Sequence, residues 1–400
     1  MSGIGSMNVR QQLPSWPSGI KKGRSLRYYL NFFFFEGSKD TVMSTEEQSH
    51  ILNTEEVQEV DVEEYTEEEK QLGQAFIQAI IDGDLEKAKA LEKEGADLVY
   101  RTEQGRTPLH FAAEHGKADI VQWLLSERHP YNLVDLNEVT AGELALQNGH
   151  VDIYEILVAE GSRAELIIRA LQAHFASDEE KNQVVNEEYL NQKLHYSDNK
   201  LMDENDDAVM MGWEAPLMVE HAKVMCPKEG LDVLNVGFGL GLIDTELQKY
   251  KPRHHFIIEA HPDVYAHMKE LGWDKKPGVT ILFGRWQDVL PSMEQSFDGI
   301  FFDTYGEFYD DLHNFHEAVP NILNEDGIYT WFNGLGATNQ FFHDVYCRIS
   351  EIDLREMGLS TEYIEMKVST ADEDGVWENV RQRYWVLDTY KLPICRFLTQ

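Results

Sequence analysis

From Leu231 onward the chain alternates short apolar runs with polar stretches of helical length. The first run, Leu231, Val233, Leu234 and Val236, suits a central parallel strand, and glycines follow at positions 237, 239 and 241. A loop that rich in glycine lets backbone come close to a ligand. Leu242 to Tyr250 then reads as a helix whose unpaired N–H groups point back at that ligand. Further strand-like runs lie at His255 to Glu259, Val279 to Phe283, Phe297 to Asp303, Gly327 to Phe332, Tyr363 to Val368 and Arg383 to Asp388. The alternation predicts an α/β domain with a mostly parallel sheet and helices on both faces. A polar turn, Ser369 to Gly375, separates the last two runs where a helix would otherwise stand, so these two are expected to pair antiparallel. Ligands of such sheets bind outside the carboxyl ends of the strands.

The preceding part follows a different period. Gly83, Gly116 and Gly149 are each 33 residues apart, and Gly95 and Gly161 each lie twelve residues after a member of that set. Thr107-Pro108 reads as a helix cap with proline at the first helical position, Ala112 and Ala113 permit close helix packing, and Gly116 ends the helix. A second helix then presents Ile120, Val121, Leu124 and Leu125 to its neighbours. The unit from Gly105-Arg106-Thr107-Pro108-Leu109-His110 to Leu125 closely resembles an ankyrin repeat; a plain helical bundle is the alternative. The repeat near Thr140 carries Ala141, Gly142 and Glu143 in place of Pro-Leu-His. Repeats of this kind hold no catalytic machinery, so this part is expected to bind a protein or brace the second domain.

These patterns divide the chain into a lead-in at 1–70, repeats at 71–163, a connecting segment at 164–207 and a catalytic domain at 208–400. The lead-in is basic and then acidic: Glu46 to Glu69 holds eleven Asp and Glu side chains and no Lys or Arg, a composition expected to stay disordered. Residues 1–44 read either as a targeting segment or as an extension ahead of Met43. The connecting segment is polar, yet Tyr189-Leu190, Leu194-His195-Tyr196 and Leu201-Met202 are spaced as if to pack on the catalytic domain.

Composition narrows the function. The formal charge of −36, from 71 acidic against 35 basic side chains, argues against direct nucleic-acid binding and favours a basic partner, although acidity also serves solubility. Cys226, Cys347 and Cys395 are too few and too scattered for a disulfide framework or a zinc site, so a reducing compartment and no metal are expected. No apolar run approaches the roughly 20 residues of a membrane span.

Candidate chemistry gathers at the strand ends. Glu259 closes the second strand eighteen residues after Gly241, where a carboxylate can accept both ribose hydroxyls of an adenosine ligand; an ordinary surface carboxylate is the alternative. The glycines stand first, third and fifth with Leu242 in the sixth place, which disfavours the dinucleotide fingerprint of dehydrogenases. Trp286 and Gln287 follow the third strand, placed either for adenine contact or, for the indole, for core packing. Asp303 ends the fourth strand after a buried run, and burial there is costly without a partner unless it acts as a structural cap. A guanidinium, planar with five donors, suits paired carboxylates, and Glu214 is the candidate second member.

The span from about Tyr189 to Arg396 resembles guanidinoacetate methyltransferase through Met210-x-x-Trp213-Glu214-x-Pro216-x-Met218, Val236-Gly237-Phe238-Gly239, Ile257-Ile258-Glu259, Trp286-x-Asp288 and Phe297-Asp298-Gly299-Ile300 running to Asp303-Thr304-Tyr305. With ankyrin-like repeats in front, the whole from about residue 70 resembles the protein arginine N5-methyltransferase family, also called type IV. The resemblance implies a class I (Rossmann-like) methyltransferase domain behind an all-α ankyrin-repeat domain. It implies S-adenosylmethionine held by Gly237, Phe238, Gly239, Leu240, Gly241 and Leu242, by Glu259 with Ala260 and His261, and by Trp286 with Gln287. Met210, Met218 and Tyr189 would close over the cofactor, with Asp303 beside it, while Glu214 and Asp303 would grip a guanidine. Gln287 departs from the small-molecule enzyme, which carries Glu there. The expected acceptor is the δ nitrogen of arginine in a basic protein, a ribosomal protein by resemblance, in cytoplasm and nucleus. The alternatives are a small-molecule guanidine methyltransferase and a non-catalytic ankyrin adaptor.

Overall fold

The computed structural model describes residues 65–175, 187–197, 199–305, 309–369, 371 and 375–398. The expectations for residues 1–64, and for 176–186 within the connecting segment, lie outside the described residues; the end of the expected disordered lead-in, Glu67 to Glu69, instead forms the capped first turn of a helix. The chain divides into two compact units after Gly161.

The first unit contains helices α1 (Glu67–Asp82), α2 (Leu85–Lys93), α3 (Pro108–Glu114), α4 (Ala118–Ser126), α5 (Ala141–Gln147) and the start of α6 (Val151–Phe175). The 33-residue period marks turns: Gly83, Gly116 and Gly149 all take left-handed backbone, at φ 78°, 67° and 77°. Ala112, Ala113, Ile120, Val121 and Leu124 are buried between helices. His110 ties the middle repeat to the next. Its Nδ1 accepts from the Thr107 N–H at 3.1 Å and its Nε2 reaches the Val139 carbonyl at 3.1 Å, and burial lowers its pKa to about 4, which keeps it neutral. Where the following repeat lacks Pro-Leu-His, Glu143 takes over: its carboxylate accepts from the Thr140 N–H at 2.9 Å while Thr140 Oγ1 accepts from the Glu143 N–H at 3.1 Å. The helix α6 runs unbroken past the expected boundary at 163.

In the second unit, α7 (Glu187–Asn191) leads into a small antiparallel sheet of β1 (His195–Ser197), β2 (Lys200–Met202) and β3 (Ala208–Met211). The aromatic and apolar residues spaced through this segment explain it: Leu194, Leu201 and Met210 pack with Phe238, Ile257, Val264, Met268 and Trp273. One 3₁₀ turn, Gly212–Glu214, joins β3 to α8 (Ala215–Met225), with Pro216 in its first turn.

The main sheet has the order β6-β5-β4-β7-β8-β10-β9. Its parallel part comprises β4 (Asp232–Val236), β5 (His254–Glu259), β6 (Val279–Phe283), β7 (Phe297–Phe302) and β8 (Leu323–Trp331). Helices α9 (Leu242–Lys249), α10 (Pro262–Glu270), α11 (Trp286–Val289), α12 (Tyr309–Ile322) and α13 (Gln340–Glu356) lie between successive strands, α11 as a single turn. The chain order reverses between β4 and β7, which opens a crevice at the carboxyl ends of these two strands. The last pair, β9 (Leu359–Lys367) and β10 (Thr389–Phe397), is antiparallel as expected. Its second strand, however, begins after the run Arg383 to Asp388, which is not a strand. That run is apolar because it feeds a cluster: Trp385 is fully buried among Trp213, Tyr390 and Leu392. Among the described residues no helix is long and apolar enough to cross a membrane.

Candidate active site

The turn leaving β4 is built so that only glycine fits. Gly237, Gly239 and Gly241 have φ of 92°, 53° and 67°. Gly241 is the N-terminal cap of α9, so the backbone N–H groups of that helix open toward the loop. Buried polar groups brace the turn from behind: Asn235 Nδ2 donates to the Gly237 carbonyl at 2.8 Å and to Asp244 Oδ2 at 2.9 Å, and His255 Nε2 lies 2.9 Å from Asp244 Oδ1. Neither Asn235 nor Asp244 stands out in the sequence, because each looks like a polar residue interrupting an apolar pattern.

Glu259 is buried at the end of β5. Its Oε2 accepts from the Phe238 N–H at 2.9 Å and its Oε1 from the His261 N–H at 2.6 Å. Burial raises its pKa, and these backbone donors pull the other way. Held by these backbone donors, the carboxylate is rigid and keeps lone pairs that can accept from a vicinal diol.

A cavity of about 840 Å³, counting space open to solvent, lies over these strand ends. Its lining includes Tyr189, Met210, Gly237, Gly239, Glu259, Ala260, His261, Trp286, Gln287 and Asp303 from the sequence-derived set. It also includes Tyr305 and Asp311, which that set lacks. Tyr189 packs with its ring centroid 4.3 Å from Tyr305 and 5.1 Å from His261. Met210 covers the loop, its Sδ accepting from the Leu240 N–H at 3.2 Å. Trp286 lines the cavity and packs in the core together, standing edge-on to Phe315 at 5.2 Å and to Phe302 at 6.2 Å. Three carboxylates, Glu259, Asp303 and Asp311, face one arginine, Arg285, in this lining, so the cavity suits a cationic ligand.

Other members of the set stand behind the cavity. Phe238 is fully buried against Trp273, with its backbone N–H serving Glu259. Leu240, Gly241 and Leu242 shape the turn and the start of α9 without lining the cavity. Met218 was expected beside Met210 and lies elsewhere. Three residues into α8, it faces a core of Ala222, Met225, Val233, Ile243, Leu247 and Phe301.

Asp303 lines the cavity at the end of β7, while Glu214 lies outside that lining but close enough for its charge to act on Asp303. Glu214 is 2% exposed, and its Oε1 accepts from the Met211 N–H at 3.0 Å and from the Tyr384 hydroxyl. Burial pushes its pKa up to about 7 despite those two donors. Burial also raises Asp303, and the nearby Glu214 charge adds to the rise; Asp303 Oδ2 is shut off from solvent and meets no hydrogen-bond donor. Two crowded acids of this kind are matched by a cation that brings several N–H donors. Tyr384 escaped sequence reasoning because the run containing it reads as a strand.

Residues 175–372 match the family profile described as guanidinoacetate N-methyltransferase, and residues 76–168 match ankyrin repeats in three copies. The chain is 37% identical to a protein arginine N-methyltransferase 2 of Aspergillus fumigatus over 331 residues, covering 70% of this chain and 78% of the relative. A relative of the same name from Candida glabrata is 31% identical over 413 residues, covering 87% and 99%. One from Yarrowia lipolytica reaches 45% identity over 223 residues, covering 52% and 47%.

Proposed function

The chain belongs to the protein arginine N-methyltransferase 2 family, and on that premise we propose that it methylates the δ (N5) nitrogen of an arginine in a basic protein with S-adenosylmethionine. The observation that carries this reading is the pairing of Glu214 with the unpartnered Asp303 Oδ2 beside the glycine turn. Gly237 and Gly239 would admit the cofactor's amino-acid end, Glu259 its ribose and Trp286 with Gln287 its adenine. Tyr189 and Met210 would cover it. When bound, S-adenosylmethionine supplies an electrophilic methyl carbon on a positively charged sulfur.

The protein's part follows from acid–base chemistry. A guanidinium, with a pKa above about 12, has poorly nucleophilic nitrogens. Glu214 and Asp303 draw its positive charge toward the nitrogens they touch and hold the reacting nitrogen in line. As the new N–C bond forms at the expense of the methyl's bond to sulfur, that nitrogen would lose its proton to the ionised Asp303 Oδ2, which would give it up only after the product leaves and the site reopens. Burial and the nearby Glu214 charge both raise the pKa of this acid, which makes it a better proton acceptor than an ordinary carboxylate. Closure by Tyr189 and Met210 excludes water from the reacting centre.

A ribosomal protein is the proposed substrate class, met in cytoplasm and nucleus, with the repeats presenting it. The test is fragmentation mass spectrometry of a basic protein incubated with the full chain and cofactor. Methyl on the δ nitrogen is expected, and methyl on a terminal nitrogen, or on no arginine, sinks the proposal. The match to the guanidinoacetate N-methyltransferase profile favours one second reading, a small-molecule guanidine as acceptor. Turnover of guanidinoacetate by the full chain that outpaces turnover of every arginine peptide would select it.

A further inference from the structure

Glu214 is held by a hydrogen-bond chain that can run in one direction only. The indole Nε1 of Trp213 lies 3.1 Å from the Tyr384 hydroxyl oxygen and can only donate. It therefore occupies an acceptor position of that oxygen and turns the hydroxyl proton toward Glu214 Oε1. The Met211 N–H, also only a donor, reaches the same Oε1 at 3.0 Å. Two donors thus converge on one oxygen, and a proton placed on Oε1 would be directed against both of them.

We infer that Tyr384, oriented by Trp213, is a positioning residue that reserves Oε2 of Glu214 as the one oxygen offered to the substrate guanidinium. This rests on the reading that Glu214 and Asp303 grip a guanidine. Its consequence is that Glu214 offers a single fixed acceptor and cannot rotate to exchange its two oxygens. In the neutral carboxyl, the proton likewise sits on Oε2. The grip on the substrate is therefore directional, as regiochemistry at one of three guanidine nitrogens requires.

The surroundings support a role for the hydroxyl beyond that of the ring. The Tyr384 ring packs edge-on to Trp377 at 5.0 Å and lies 5.8 Å from Trp213, contacts that phenylalanine would keep. The groups that face Glu214 come from separate elements. Asp303 follows β7, and Tyr384 stands in the segment before β10. Tyr390 stands on β10, its hydroxyl 2.8 Å from His221 Nε2 on α8 and accepting from the Asn333 N–H at 2.9 Å. Burial lowers the His221 pKa to about 3, so His221 stays neutral, while burial raises Tyr390. Arg383, next to Tyr384, stacks over Trp377 at 5.1 Å. Asp303 is the acid whose charge acts on Glu214 most directly, and both are raised by burial.

The test is an infrared titration of the protonated carboxyl stretch in the full chain, with Glu214→Gln identifying the Glu214 band. Tyr384→Phe removes a donor to the carboxylate, so the Glu214 midpoint should rise by about one to two pH units. Trp213→Phe keeps the hydroxyl but frees its rotation, so it should raise the midpoint by less. Steady-state assays should show the acceptor KM rising roughly tenfold in Tyr384→Phe, the equivalent of one hydrogen bond to a charged group, with cofactor affinity unchanged. An unchanged midpoint in Tyr384→Phe, or a larger shift in Trp213→Phe than in Tyr384→Phe, overturns the inference. If Tyr384→Phe does not fold, a fall or no change in the Trp213→Phe midpoint still overturns it. Because the titration needs no turnover, a chain that titrates as expected yet methylates no arginine would sink the functional reading and keep the positional one.

Discussion

The backbone carbonyl oxygen of Asp303 lies 1.8 Å from the place where a Cβ on Gly237 would stand. The turn after β4 and the end of β7 are therefore in contact backbone to backbone, and the glycine brings the cradle and the acidic mouth together. Gly237→Ala must displace one of them, with the added strain of φ 92°. A stability loss of ~2 kcal/mol or more and a cofactor affinity at least tenfold weaker are expected. Thermal melting and calorimetric titration with S-adenosylmethionine measure the two effects, and near-wild-type values in both would refute the packing account.

Glu259 is a sensitive position because each of its oxygens accepts from a backbone N–H, one from Phe238 and one from His261. Glu259→Gln keeps the shape but has only one acceptor oxygen, so its amide N–H₂ must oppose one of these donors. A buried unsatisfied donor costs about 1–3 kcal/mol. Cofactor affinity should fall about 10- to 100-fold, read by calorimetry, with activity restored at high cofactor concentration.

The paired acids make stability depend on pH at the alkaline side. Burial raises the folded pKa of Glu214 to about 7, above its unfolded value, and raises Asp303 as well. A raised acid contributes its stability fully below the unfolded pKa and loses it as pH rises through the folded value. The melting temperature of the ligand-free chain should therefore fall between about pH 5 and pH 8. Glu214→Gln should flatten that decline, and a guanidinium-bearing ligand should reverse it. A melting curve independent of pH over this range would contradict the burial of both acids.

The opposite sign applies at Asp353. Arg169 Nη2 donates to its Oδ1 at 2.8 Å, and Arg169 Nη1, the Tyr309 hydroxyl and His313 all reach its Oδ2. Burial alone would raise this acid, but the hydrogen bonds from His313, Arg169 and Tyr309 together hold it well below the usual carboxylate range. Its contribution is present above the unfolded pKa and is lost as pH falls through the folded one. Asp353→Asn should cost about 3 kcal/mol at neutral pH, since it strands a partly buried arginine, and should blunt acid unfolding. Chemical denaturation at pH 7 and pH 3 would check both statements. Tyr309 begins α12, the helix that carries Asp311 into the cavity lining, so a moderate loss of cofactor affinity should accompany the variant.

Much of this protein was legible along the chain because local rules write themselves locally. A strand buried on both faces needs a mostly apolar run, and Leu231, Val233, Leu234 and Val236 supply one around Asp232 and Asn235. A helix end needs left-handed backbone, so glycines recur with the repeat at 83, 116 and 149. Glycine in the turn after β4 and a carboxylate at the end of β5 follow from the same one-dimensional logic. Met218 and the run Arg383 to Asp388 mark where that logic stops. A methionine near a motif looks the same whether its helix turns it toward a cavity or toward a core, and a run of aromatics suits a strand and a buried cluster equally.

What the sequence alone determined is most of the parallel-sheet elements, their order and the residue types at their strand ends, since backbone sterics, capping and hydrophobic periodicity act over a few residues. What only the tertiary structure decided is how those ends face one another. Tyr384 stands 170 positions from Glu214, and it finds that carboxylate because β10 pairs back onto β8 and brings the preceding segment over the site. The environment of Asp303 is likewise set by walls that come from separate parts of the chain. Low solvent access and the proximity of like charges are properties of the assembled fold, and no pattern of neighbours along the chain encodes them.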